Sequence, residues 1–407
     1  MQRYDSYKPS GVKWLGEIPS HWEVIPMKYC MQIKNGMDYK QVVADYGYPV
    51  IGSGGQFAYA SDYMHDGEVV FFGRKGTIDK PLHFKGKFWA VDTMFYAIPK
   101  KIYGKFLYYV GLTIPYKYYS TATALPSMTQ TDLGNNPICF PPLEEQAAIA
   151  NYLDTATAKI DAAIAQQQKM IDLLNERKQI IINRAVTRGL NPNARMKDSG
   201  VDWIGEVPEH WEVRRLKTLF NYISRGITPN YVEQSNSRVV NQATFSKGYF
   251  DRYNQRFTVA MEYNDSFVRN GDILMASTGG GVLGKVYYFE GQEDNNVADS
   301  HVTIIRTDNK EVNGKFYCYL FSTQYDMINA VMAKGSTNQT ELQRQELTSL
   351  FVPVSTRKEQ DEIVKHLDTL SEQIETIIVQ YRNQISLLQE RKQIVINDVV
   401  TGKVKVM

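Results

Sequence analysis

The run Gly279-Gly280-Gly281-Val282-Leu283-Gly284-Lys285-Val286 meets the G-x-x-x-x-G-K frame of a phosphate-binding loop. In such a loop, main-chain N–H groups cradle a polyphosphate, a lysine reaches its outer phosphates and a hydroxyl holds magnesium. Here the hydroxyl position is Val286, and no convincing acidic partner strand follows. Nucleotide hydrolysis resting on Lys285 is therefore the weaker reading. Asn136-Pro137-Ile138-Cys139 is the nearest approach to the loop that grips a flipped base for amine methylation. It lacks both the second proline and the aromatic that would sandwich the base. The six histidines are scattered, no Gly-x-Ser-x-Gly occurs, and no acidic pair sits in a cleft motif. No catalytic residue and no metal-ligand set are expected.

What the sequence does offer is grip on a polyanion. Arg74, Lys75, Thr77 and Lys80, set around Gly73 and Gly76, combine charged and hydroxyl donors with exposed main-chain N–H groups. That combination suits DNA phosphates and guanine edges. Thr278, the Gly279 to Gly281 run and Lys285 repeat the arrangement later in the chain. A third candidate is Ser224-Arg225-Gly226-Ile227-Thr228-Pro229, with Arg225 and Thr228 as donors and Lys34-Asn35-Gly36-Met37 as its earlier counterpart. A basic turn after a strand is more often a solvated hairpin, so the weight lies in the recurrence.

The formal net charge is +2. Residues 1–142 carry 15 Lys and Arg against 11 Asp and Glu, and residues 191–356 carry 17 against 19. Anion binding must come from local clusters, not from a global field. Three cysteines, Cys30, Cys139 and Cys318, lie far apart with no disulfide or zinc spacing, as in a reducing, cytoplasmic setting. Neither an apolar signal core at the N-terminus nor an uninterrupted apolar run of membrane-spanning length occurs, so no membrane partner is expected.

The elements that must position these loops are repeated. Residues 7–28 return at 196–217 with 13 of 22 positions identical, including Trp14, His21 and Trp22 with twins Trp203, His210 and Trp211. The tryptophans are expected to close each body onto a helix end, and the histidines to pack beside them. Leu143 to Arg188 returns as Arg357 to Lys405. Both copies start at a Glu-Gln pair and share Leu-Leu-x-Glu-Arg-Lys-Gln-Ile-x-Ile-Asn-x-x-Val-Thr at an offset of 214. Each lacks proline and glycine for about forty residues and reads as one helix roughly 60 Å long. The expected seam runs through Ile149, Leu153, Ala156, Ile160, Ala163, Met170, Leu174 and Ile181 in the first copy, with Ile164 and Ile171 beside it. In the second it runs through Ile363, Leu367, Leu370, Ile374, Ile377, Tyr381, Leu388 and Val395. Because the second body begins where the first helix ends, the pair should run antiparallel as a coiled coil.

The expected architecture is α+β: two tandem bodies, each a twisted sheet with short helices, separated by the two long helices. The boundaries are 1–142, 143–190, 191–356 and 357–407. Short helices are expected from Gly104 and Gly314, and Ser/Thr-rich stretches at Ser120 to Thr131 and Ser336 to Thr340.

These features resemble the DNA-specificity subunit of type I restriction–modification systems. The carriers are the Trp-Gly-Glu-Pro-His-Trp boxes, the Glu-Gln helix starts, the repeated Glu-Arg-Lys-Gln-Ile run, Val50-Ile51-Gly52-Ser53-Gly54-Gly55, and Arg74-Lys75-Gly76-Thr77-Ile78-Asp79-Lys80-Pro81. The resemblance implies two target-recognition domains with pseudo-twofold symmetry and no catalysis in this chain. It implies double-stranded DNA, two methyltransferase subunits and, in the full complex, two restriction subunits as partners. S-adenosylmethionine, ATP and magnesium then belong to those partners. A bipartite asymmetric target with an unread gap is the further implication.

In the second body the Arg-Lys-Gly-Thr loop is replaced by Ser277-Thr278-Gly279-Gly280-Gly281, and the Ile-Gly-Ser-Gly-Gly stretch has no clear equivalent. Partner docking is expected at Glu176-Arg177-Lys178 and Glu390-Arg391-Lys392. The competing reading is a protein-binding coiled-coil scaffold without DNA recognition.

Overall fold

The computed structural model describes residues 2–118, 126–253, 255–279, 281–291, 295–334 and 340–406. Gly280, residues 120–125 of the first Ser/Thr-rich stretch and residues 336–339 of the second lie outside them. The chain divides into two compact units, Met1–Lys169 with Tyr381–Met407, and Met170–Gln380.

In the first unit, seven strands form one sheet: β1 Met31–Asn35, β2 Val43–Ala44, β3 Tyr48–Gly52, β4 Gly55–Ala60, β5 His65–Gly73, β6 Leu82–Ala90 and β7 Met94–Pro99. Their order is β1-β7-β5-β6-β3-β4-β2. All pairings are antiparallel except β3 on the end of β6, where Val50 faces Trp89 and Ile51 faces Ala90. The helix α1 Gly104–Gly111 covers one face, burying Phe106, Leu107 and Val110. The long helix α2 Leu143–Arg188 follows a short helix, Gln130–Asn135, and a strand, Pro137–Phe140.

The second unit departs from the single sheet expected of each body. It has two four-stranded sheets, built from β8 Tyr222–Arg225, β9 Tyr231–Val232, β10 Ser237–Val240, β11 Arg256–Thr258, β12 Ile273–Ala276, β13 Val286–Tyr288, β14 Asn296–Ala298 and β15 Val302–Arg306. The orders are β8-β15-β12-β13 and β9-β11-β10-β14. The connectivity is nevertheless that of the first unit with β6 broken in two. β13 takes its pairing to β12, and β14 takes its parallel pairing to β10. Helix α3 Gly314–Ser322 occupies the place of α1, and the chain closes with the long helix α4 Arg357–Val400.

Within each unit the long helices run antiparallel. In the first, Ile149, Ala150 and Leu153 from the start of α2 share a core with Ile396, Val399 and Val400 from the end of α4. In the second, Ile182, Ala185 and Val186 from the end of α2 meet Ile363, Val364 and Leu367 from the start of α4. The seam is shifted at several positions, with Ile182 and Ile396 buried where the expected Ile181 and Val395 are half-buried. Met170 and Ile377 are exposed, and their neighbours Ile171 and Ile378 are buried in their stead. A straight helix drifts about 20° per heptad against a strict seven-residue repeat, so the buried face steps to the adjacent position.

The Glu-Gln pairs fasten each sheet to its helix. The Glu145 carboxylate accepts from Trp22 Nε1 at 2.9 Å and lies 2.6 Å from His21 Nε2. Glu359 accepts from Trp211 Nε1 at 2.9 Å and lies 3.1 Å from His210 Nε2. The histidines therefore have a carboxylate partner that their sequence surroundings do not reveal. Gln146 Oε1 accepts from the Tyr103 N–H at the start of α1, and Gln360 Oε1 from the Asn313 N–H at the start of α3, each at 2.8 Å. One turn pair further along, Asp154 receives Lys105 Nζ and the Tyr109 hydroxyl. Asp368 likewise receives Lys315 and Tyr319.

Candidate nucleic-acid interface

Two glycines anchor the candidate surface. A Cβ on Gly36 would lie 1.9 Å from the Val91 carbonyl oxygen, and one on Gly226 would lie 1.9 Å from that of Ala298. Only a residue without a side chain permits that approach. The surrounding main-chain bonds match. Gly36 N–H donates to Met94 O at 2.9 Å, and Gly226 N–H to Val302 O at 3.0 Å. Met37 N–H donates to Ala90 O at 2.8 Å, and Ile227 N–H to Ala298 O at 3.0 Å.

The loops after β5 and β12 match in the same way. Gly76 N–H donates to Pro126 O and Met128 N–H to Arg74 O, as Gly279 N–H donates to Thr340 O and Leu342 N–H to Ser277 O. Gly76 at φ 80° and Gly279 at φ 88° turn the chain away at the same point, in the left-handed region that glycine enters freely. The Arg-Lys-Gly loop and the Ser-Thr-Gly loop are thus one structural position with different side chains. The Ile-Gly-Ser-Gly-Gly stretch also has an equivalent, contrary to the sequence reading. Val91 N–H donates to Ile51 O as Asp299 N–H donates to Val240 O. Ser53 therefore corresponds to Gln242, which comes directly after the N-cap Asn241 of a short helix, Gln242–Phe245.

In the first unit, Asn35, Arg74, Lys75, Phe95 and Gln130 line one groove at the end of the sheet. The Arg74 guanidinium lies 5.9 Å from the centre of the Phe95 ring, and its Nη1 donates to Asp92 O at 3.5 Å. Gln130 Nε2 donates to Ile33 O at 3.2 Å. Lys34 is not brought into this groove. Strand alternation turns it to the other face, opposite Tyr96. There, after burial, it is the next cause holding the His65 imidazole below its usual pKa. Thr77 and Lys80 lie in the same turn and are exposed, with buried Ile78 between them.

In the second unit, Arg225 is held by Glu341, and the Thr278 hydroxyl lies 2.8 Å from His301 Nδ1 and 3.5 Å from Gln242 Oε1. Thr228 is exposed three residues beyond Arg225. The Asp299 carboxyl, pushed up by burial and drawn down by the His301 N–H, underlies the same surface. Lys285 is half-buried at the entry to β13. The Gly279 to Lys285 run leads into a strand, β13, and Leu283 within the run is buried in the core. The helix N-terminus that a phosphate-binding loop requires is not built there. Gln242, His301, Glu341 and Gln130 escaped the sequence reading because hydrogen bonding across the sheet, not local spacing, brings them to this face.

Among the described residues, no helix is long and apolar enough to cross a membrane, and no cluster of His, Cys, Asp and Glu is fit to hold a metal ion.

The profile of the Type I restriction modification DNA specificity domain matches residues 19–171 and 208–387, most of both repeats. The chain belongs to this family. It is 24% identical over 361 residues to the Type I restriction enzyme MjaVIII specificity subunit of Methanocaldococcus jannaschii, covering 85% of this chain and 78% of that protein. It is 25% identical over 432 residues to the putative MjaX specificity subunit of the same organism, covering 96% of each. A chain in a solved structure of complex assembly and conformational transition of the type I R-M system shares the fold. Its TM-score is 0.69 at 15% identity, over 95% of this chain and 99% of that one. The specificity subunit supplies sequence recognition, and catalysis resides in other subunits of the complex.

Proposed function

We propose that this specificity subunit reads a bipartite, asymmetric DNA site, one half-site per body, and positions two methyltransferase subunits and, in the full complex, two restriction subunits. Residues 1–142 and 191–356 act as the recognition domains, and 143–190 and 357–407 as the helical spacers. The observation that carries this reading is the pair of equivalent surfaces with unlike side chains. Arg74 and Lys75 stand where Ser277 and Thr278 stand, and Asn35 stands where Arg225 stands. The same frame with different donors suits two different half-sites. Arg74 and Lys75 contact the duplex at the groove floor. Thr77, Lys80, Thr228 and Lys285 serve the flanking phosphates, and Lys34, turned to the other face of the sheet, does not. S-adenosylmethionine, ATP and magnesium belong to the partner subunits, and the complex works in the cytoplasm, where the DNA is.

Partner docking rests on a second apolar seam. Leu173 and Ile180 on α2 are exposed seven residues apart, and so are their repeat twins Leu387 and Ile394 on α4. Ile180 is 60% exposed and Leu387 64%. Each pair flanks an exposed Glu-Arg step, Glu176-Arg177 and Glu390-Arg391. Lys178 completes the first motif, while Lys392 is taken up by Asp161 at 2.7 Å within the helix pair. Two like surfaces, one per unit, suit two copies of one partner. The double substitution Leu173→Asp/Ile180→Asp should lower methyltransferase retention in pull-down by one copy while leaving the chain folded. Unchanged retention would remove this docking assignment.

The test of the whole reading is methylation mapping of the genome with and without this gene. A defined two-part adenine-methylated sequence should be present with the gene and vanish on its deletion. A scaffold without DNA recognition would leave every methylated motif in place.

A further inference from the structure

The Arg225 and Glu341 pair does something that a surface ion pair need not do. Arg225 Nη1 and Nη2 both donate to the same carboxylate oxygen, Glu341 Oε2, at 3.3 Å each, and Nη2 also donates to Leu342 O at 3.1 Å. The guanidinium fork is thereby used up on the protein, so Arg225 has no free bidentate edge for a guanine. The other carboxylate oxygen, Glu341 Oε1, has no partner among the described residues. The Glu341 side chain is 53% exposed, on the face that carries Thr278, His301 and Gln242. Pairs this exposed contribute little to stability. What the pair achieves is to fix the carboxylate in one orientation and cancel its charge.

The geometry points to Glu341 Oε1 as the group that accepts a hydrogen bond from the N4 amino group of a cytosine in the major groove, with Arg225 as its positioning residue. This assignment rests on the DNA-reading function proposed above. An isolated carboxylate would be repelled by the phosphates on either side of the groove, and pairing with Arg225 removes that repulsion. An ionised carboxylate is an acceptor only. In the major groove, guanine shows it two acceptors and thymine shows an acceptor and a methyl group. Adenine sets an N7 acceptor beside its N6 donor, and cytosine alone shows a donor with no competing acceptor. The equivalent position in the first body is Ser127, which bridges Lys75 as Glu341 bridges Thr278. This acceptor therefore belongs to the second half-site only.

The test is methylation mapping in cells that carry the complete system with Glu341→Gln. Glutamine offers an acceptor and a donor together, the pair that adenine presents through N7 and N6. One C·G pair in one half-site should relax to admit A·T, with the other half-site unchanged. Glu341→Asp should keep the cytosine requirement. Arg225→Ala should cut methylation at the native site by about tenfold or more. The Glu341→Gln protein should melt within about 2 °C of the parent.

An unchanged motif in E341Q, loss of methylation by a folded E341Q complex, or its unfolding would each overturn the assignment. If the unaltered complex methylates no two-part sequence, the DNA-reading function itself fails. If it does and E341Q behaves identically, only the role of Glu341 falls.

Discussion

Replacing Trp211 with alanine will destabilise its unit by about 3–5 kcal/mol, the cost of removing a large aromatic from a closed core. The indole has no exposed surface and meets the Phe316 ring edge-on at 6.2 Å between centres. It also hydrogen-bonds Glu359 at the start of α4. Like Trp22 in the first unit, it joins the core under the sheet to the helix start. Trp211→Phe keeps most of the packing and loses the hydrogen bond, so about 1–2 kcal/mol should go. Urea denaturation of the full chain reads both. A loss below about 1 kcal/mol for the alanine variant would mean that the box is not what holds the sheet to the helix.

Asp272→Ala should be equally damaging, for an electrostatic reason. Asp272 and Arg306 are joined by two bonds of 2.7 Å, Nε to Oδ1 and Nη2 to Oδ2, with side chains 1% and 7% exposed. Burial works against the Arg306 charge, yet the hydrogen bonds and charge of Asp272 hold its pKa above the ordinary value. The guanidinium also donates to Phe267 O at 2.7 Å and lies 5.1 Å from the centre of the Tyr222 ring. Removing the carboxylate leaves a buried charge that cannot deprotonate facing the exposed Asp265 carboxylate at 3.9 Å, at a cost of about 3–5 kcal/mol. The paired change Asp272→Leu with Arg306→Met takes out both charges and should recover most of that loss. A double variant no more stable than Asp272→Ala would place the cost in shape, not in charge. Denaturant midpoints of the three proteins decide between these outcomes.

The long helices and their antiparallel sense were legible because a forty-residue stretch without proline or glycine, striped with Ile and Leu, has few other ways to fold. The buried face passes through Ile171, which the sequence set beside the seam, and through Ile378 in place of Ile377, since a fixed repeat cannot follow the drift of a real helix. His21 and His210 looked partnerless because their carboxylates lie on the first turn of a helix more than a hundred residues away. Ladders joining distant residues carry the correspondence of Ser53 with Gln242. One of those positions is a glycine-flanked turn and the other a helix start, so no local pattern unites them. The turn that carries Arg74 and Lys75 was legible as a basic loop because charge beside glycine is visible in one dimension. The pairing of Glu341 with Arg225 was not legible, because the two lie more than a hundred residues apart in the sequence.

The duplicated fastening of α1 and α3 has an evolutionary consequence. Lys105 with Tyr109, and Lys315 with Tyr319, form the same plug, and Asp154 and Asp368 form the same socket on the two long helices. A segment equivalent to residues 29–142 carries its own plug, so trading it for residues 218–356 keeps the Lys-Tyr plug matched to its Asp socket, while the bonds of Arg357 and Asp361 to the second body have no counterpart at Leu143 and Ala147. On the proposed division of labour, a body exchanged whole would meet the same socket on either long helix.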